Sequence, residues 1–125
     1  MKRLEQYKVD FKNALSALDA AADEAHTDLE IDGTIQRFEL TYELFWKLLK
    51  SYLQQEGVLV NTPKECFKEA FRVGIIDNQE SVLKMVDDRN LTVHLYDLKT
   101  SREVFDRIRL SHRVAFRKAM ERMEK

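Results

Sequence analysis

The residues best suited to chemistry in this sequence occupy ten consecutive positions, Asp87-Asp88-Arg89-Asn90-Leu91-Thr92-Val93-His94-Leu95-Tyr96. Arg89 offers a planar fork of donors for phosphate oxygens and for the charge that builds in a pentavalent transition state. His94 can take the proton from a ribose 2′-hydroxyl, or return one to a leaving oxygen, near neutral pH. Asn90 can orient either group, with Asp88 and Thr92 as supporting polar residues. That route needs no metal and no cofactor. Asp87 and Asp88 are adjacent carboxylates, but neighbours on a helix project to different sides, so no metal site is expected there.

The segment reads as the second half of a helix. At about 100° per residue, Arg89, Thr92, Val93 and Tyr96 share one face, and Asp87, Asn90 and His94 share another. Arg89 and His94 then stand about 140° apart on a straight helix. They can flank one groove, but they reach the same small atom only if the helix bends or a second copy contributes. Two copies crossing at a twofold axis would meet that need, and a homodimer is the expected state. The plainer alternative is a solvated Arg and a hydrogen-bonded structural His. Against it stands the pattern: Val82 and Val86 predict apolar residues at 89 and 93, yet position 89 is Arg.

Elements that would position this segment follow from periodicity and punctuation. Leu4, Tyr7, Phe11, Leu15 and Leu18 recur at helical spacing and predict a first helix from about Arg3 to Ala22. Thr27-Asp28-Leu29-Glu30 reads as a capping box opening the longest helix, which runs to about Glu56 with Gly57 as its left-handed terminator. Its stripe is Ile31, Ile35, Phe38, Tyr42, Phe45, Leu49 and Tyr52, widened by Leu44 and Leu48. Thr62-Pro63-Lys64-Glu65 starts a short helix that stops at Gly74. Asp77 or Asn78 caps a fourth helix reaching to about Tyr96, and Thr100-Ser101-Arg102-Glu103 reads as a capping box for a last helix to about Met123. The expected architecture is all-α, an up-and-down antiparallel four-helix bundle with one short extra helix, in a single domain over residues 1–125.

Composition narrows the partners. Twenty-one Lys+Arg against 22 Asp+Glu leave a net charge of -1, which argues against holding long nucleic acid by bulk electrostatics. Cys66 is the single cysteine, which excludes an intrachain disulfide framework and fits a cytoplasmic protein. No apolar run suits a membrane span, and the first residues lack a secretory pattern. Arg102, Arg109, Arg113 and Arg117 line the last helix and read either as a groove for RNA or a partner or, more plainly, as a solvated face. Trp46 and its aromatic neighbours read as core or interface, and Cys66 as a buried small hydrophobe. His26 and His112 have no ligand-like neighbours in the sequence.

Three motifs in order carry a family resemblance. Ile35-Gln36-Arg37-Phe38-Glu39-Leu40-Thr41-Tyr42-Glu43-Leu44-Phe45-Trp46-Lys47 resembles the long-helix signature of the nucleotidyltransferase substrate-binding protein family, a branch of the HEPN superfamily that includes HepT-like toxins of HEPN/MNT pairs. Pro63-Lys64-Glu65 and the stretch from Glu69-Ala70-Phe71 to Gly74-Ile75-Ile76-Asp77 are similar to the same family, and Arg89 to His94 to Tyr96 matches its hallmark spacing. The resemblance implies an all-α dimer that partners a separately encoded minimal, ATP-using nucleotidyltransferase. It also implies one of two roles: a subunit that binds the transferase's substrate, or a metal-independent ribonuclease silenced when AMP is placed on the motif tyrosine. Carried onto this chain, Arg89 and His94 would be catalytic, Asn90 would support them, and Tyr96 would accept AMP. A structural bundle without chemistry is the third reading.

Overall fold

The computed structural model describes residues 2–95 and 97–124; Tyr96, the expected acceptor, lies outside the described residues. All regular structure among them is helical: α1 (Lys2–Glu24), α2 (Asp28–Gln55), α3 (Pro63–Arg72), α4 (Gln79–Leu91), α5 (Leu98–Arg107) and α6 (Arg113–Met123). A 3-10 turn, Thr92–His94, extends α4, and a π turn, Ile108–His112, joins α5 to α6 into one helical run. Counting that run once gives five helices, the all-α bundle read from the sequence. Among the described residues no helix is long and apolar enough to cross a membrane.

Local chemistry sets most boundaries. At the start of α2 the Thr27 hydroxyl accepts from the Glu30 amide at 3.1 Å while Glu30 accepts from the Thr27 amide at 3.0 Å. The backbone amides of Thr27 and His26 donate to the Glu30 carboxyl and hold it below the usual carboxylate range. Beyond α2, Gly57 takes φ 84° and the Val58 amide reaches back to the Leu53 carbonyl at 2.8 Å, a left-handed stop that a side chain would strain. Thr62 caps α3 with Pro63 in its first turn, and Gly74 at φ 89° ends that element in the same way.

Two boundaries differ from expectation. Helix α4 stops at Leu91 instead of running to about Tyr96. The Thr92 hydroxyl donates to the Arg89 carbonyl at 2.6 Å, a local bond that competes with the helical ladder, and Thr92-Val93 is a β-branched pair. The last helical run begins at Leu98, capped by Asp97, whose carboxylate accepts from the Thr100 amide at 2.7 Å. A carboxylate also complements the helix dipole, so Asp97 takes the cap and Thr100 falls inside the first turn.

Helix α2 is the hub, packed against α1, α3 and α5. The stripe read from the sequence points inward: Ile31, Ile35, Phe38, Tyr42, Phe45, Leu48, Leu49 and Leu53 are buried. Phe45 is the centre of an aromatic cluster, its ring 5.0 Å from Phe116, 5.5 Å from Phe11 and 5.6 Å from Phe67. Burying each such side chain contributes about 1.5–3 kcal/mol, so this cluster anchors α2 at the centre of the core, while α4 packs on α3 and the π turn.

Candidate functional site

Arg89 leaves the last turn of α4 toward α2. Its side chain is 25% exposed, with Nη1 3.7 Å from Glu39 and Nη2 3.8 Å from Glu43. Glu39 and Glu43 are four residues apart and therefore face α4 together. Nη1 also donates to the Thr92 hydroxyl at 3.4 Å, while Nε is buried and finds no partner among the described residues. Ion pairs this long between partly solvated groups are worth at most about 1 kcal/mol each. A phosphate, which the guanidinium fork can grip at about 2.7–2.9 Å, would compete well for the same donors. Tyr42 is buried on the same helix, and burial, reinforced by Glu43, pushes its phenol up to about 12, so it stays protonated at neutral pH.

Asp88, next in sequence, turns the other way. Its side chain is 1% exposed and accepts from Arg107 Nε and Nη2, both at 2.8 Å, and from His112 Nε2 at 2.6 Å. Burial raises its pKa, but the hydrogen bonds and charges of His112 and Arg107 outweigh that and hold it at about 2. The same pairing raises Arg107 above its ordinary value. An ionised carboxylate can only accept, so the proton on this bond belongs to His112 Nε2. His112 also stacks on Phe38 with centroids 5.3 Å apart. Asp88 is thus the pin that fixes the end of α4 to the last helical run, and through it the position of Arg89.

His112 and Arg107 were not among the residues singled out from sequence, because their partner lies far along the chain. A signal was present: Ile108, His112 and Phe116 are spaced by four, which places the histidine in a buried stripe.

Of the residues expected at the site, Thr92 is brought against Arg89. His94 ends the 3-10 turn at an exposed position, and Asn90 is exposed. Because α4 ends at Leu91 and a 3-10 turn follows, Arg89 and His94 do not lie on one straight α-helix. Asp87 is exposed while Asp88 is buried, so the two carboxylates face different environments.

The arginines of the last helical run are already committed. Arg102 pairs with Asp28 at 2.8 Å, Arg109 with Asp106 at 3.4 Å, Arg113 with Asp23 at 2.7 Å and Arg117 with Asp19 at 3.0 Å. This is a neutralised face rather than a basic groove. Cys66 is buried, as expected, and burial pushes its thiol up to about 12.

Comparison with known proteins agrees with this architecture. A family described as nucleotidyltransferase substrate binding protein like matches residues 2–125. A Haemophilus influenzae protein named probable ribonuclease HepT is 36% identical over 88 residues, covering 65% of this chain and 59% of the relative. The match therefore spans less than two-thirds of that relative's length. A solved Haemophilus influenzae structure, described as revealing the fold of a substrate binding domain of a nucleotidyltransferase, aligns with a TM-score of 0.72 and 25% identity, over 98% of this chain and 97% of that one.

Proposed function

The chain belongs to the nucleotidyltransferase substrate-binding protein family, and on that premise we propose that it is the helical partner of a separately encoded nucleotidyltransferase, which acts at the segment from Arg89 to Tyr96. The observation that carries the proposal is the loosely paired Arg89 at the point where α4 gives way to a 3-10 turn ending in exposed His94. Such a helix end can enter the active site of another protein, whereas a residue within a packed helix cannot. In the reaction the Tyr96 phenol oxygen attacks the α-phosphorus of ATP. A phosphorus–oxygen bond forms, pyrophosphate leaves, and the phenolic proton passes to a base of the transferase or to water.

Intact-protein mass after incubation with the cognate transferase, Mg²⁺ and ATP tests this reading. A gain of one or more AMP units, lost in Tyr96→Phe, is the expected result. Stable association without a mass gain would redirect the proposal to a subunit that binds a third molecule for the transferase. Absence of association would overturn it. The proposal includes a homodimer, and a monomeric mass by light scattering at micromolar concentration would count against that part.

A second reading is a metal-independent ribonuclease, favoured by the name of the 36% identical relative and by Arg89 and His94 bracketing one surface turn. Here His94 takes the 2′-hydroxyl proton, the 2′-oxygen attacks phosphorus, Arg89 stabilises the charge, and the 5′-oxygen leaves with a proton returned by His94 or supplied by water. Asn90 stands between them to orient the ribose or phosphate. Arg89→Ala and His94→Ala should each abolish cleavage of a single-stranded RNA while leaving the far-UV circular dichroism unchanged. Undiminished cleavage by either variant would remove this reading.

A further inference from the structure

One unassigned feature lies a turn beyond Glu43 on α2. A cleft of about 180 Å³ opens between α1 and α2, lined by Arg3 and Tyr7 from the first and by Trp46, Lys47 and Lys50 from the second. Among the described residues, no carboxylate lines it. The Lys50 ammonium sits 5.6 Å from the Trp46 ring centroid, within cation–π range. Among the described residues, Arg3, Lys47 and Lys50 hold no ion pair, in contrast to the paired arginines of the last helical run. In a chain of net charge -1, this is a local concentration of uncommitted positive charge beside aromatic faces.

The cleft is joined to Arg89 through one side chain. The Trp46 indole Nε1 donates to Glu43 Oε2 at 3.2 Å, and Oε1 of the same carboxylate lies 3.8 Å from Arg89 Nη2. Glu39, Glu43, Trp46 and Lys50 follow one another at spacings of four, three and four, one ridge of α2. From Glu43 to Lys50 that ridge advances roughly 10 Å, within reach of a short stretch of single strand.

We propose that this cleft is a nucleotide subsite, with a base stacked on Trp46 and its phosphate held by Lys50, Lys47 and Arg3. Aromatic stacking and basic side chains are the two elements that bind nucleotides without reading their sequence. The proposal deepens the function above, on whose reading it rests for its use: it gives the nucleotide that meets Arg89 a second point of attachment. A free mononucleotide and one unit of a single-stranded RNA share this chemistry.

Trp46 is the only tryptophan, so its fluorescence reports occupancy of the cleft directly. The intact protein is titrated with AMP, with hexauridylate and with inorganic phosphate. Quenching by AMP, by hexauridylate or by both is the expected result, and which of them quenches identifies the source of the nucleotide. Lys50→Glu, at an exposed position, should keep the helical circular dichroism and weaken that binding about tenfold or more. No quenching by either nucleotide probe, equal quenching by inorganic phosphate, or unchanged affinity in Lys50→Glu would overturn the subsite. Arg89→Ala separates the two claims: AMP quenching that persists in it supports the cleft even where the function proposed above has failed its own test.

Discussion

Replacing Asp88 with Asn tests the pin between α4 and the last helical run. The carboxylate accepts three hydrogen bonds from two cations or donors while only 1% exposed. Asn can present its oxygen to only one edge, so its amide nitrogen must face Arg107 or His112, which are both donors here. Arg107 is 32% exposed and can turn to water, but His112 is 1% exposed and cannot. Breaking a fully buried pair costs about 3–5 kcal/mol, and the escape of Arg107 puts the expected loss at the lower end, about 3 kcal/mol. The acid dependence gives a second measure. A carboxyl lowered from its ordinary 3.8 to about 2 contributes stability that is complete above its unfolded pKa and is lost as pH falls through its folded one. At about 1.4 kcal/mol per pKa unit this amounts to roughly 2 kcal/mol, in line with the first figure. For a chain of this length about 3–5 °C accompanies each kcal/mol, so thermal unfolding of Asp88→Asn at neutral pH should fall by roughly 10 °C. The wild type should also lose stability between about pH 4 and pH 2, and the variant should lose less. A fall of under about 3 °C, or an acid profile as steep as the wild type's, would refute the reasoning.

Glu39→Gln removes one of the carboxylates facing Arg89 and should tighten binding of a 5′-phosphorylated oligonucleotide about two- to five-fold, an effect that high salt erases. Isothermal titration at two ionic strengths measures it, and unchanged affinity at low salt would show that Glu39 does not oppose the anion. Gly57→Ala meets no atom within 4 Å, so its cost is that of a left-handed φ alone, about 1 kcal/mol by urea unfolding. Cys66, with its thiol raised to about 12 and its side chain buried, should react with a thiol reagent only as the protein opens. A labelling rate independent of added denaturant would contradict that.

How far the sequence reveals this molecule depends on the range of the interaction concerned. The caps at Thr27 and Thr62 and the stops at Gly57 and Gly74 act within a few residues, and the pattern shows them directly. The Leu91 boundary also has a local cause, but a Thr hydroxyl turning back onto a carbonyl competes closely with helix continuation, and periodicity alone favours continuation. At positions 97 to 103 two cap patterns overlap, and the choice of Asp97 over Thr100 turns on a charge facing a helix dipole. The polar interruption at Arg89 stands out because it breaks an apolar stripe. Its neighbours Glu39 and Glu43, and the Arg107–Asp88–His112 cluster, become visible only in three dimensions. Nothing in the spacing of two helices says which carboxylate will meet which cation.

The π turn has a consequence for how this chain tolerates change in length. Residues before it pack on α2 and those after it on α1, while the turn itself touches α1 and α4. A π turn carries one residue more than the regular helix over the same advance, and so it absorbs that residue without turning the second half of the run. Deleting one residue from Ile108–His112 therefore leaves a regular helix whose second half keeps its phase. Phe116, Met120 and Met123 would stay in the core, whereas a one-residue deletion within α2, an unbroken α-helix, would put every residue beyond it out of phase by about 100°.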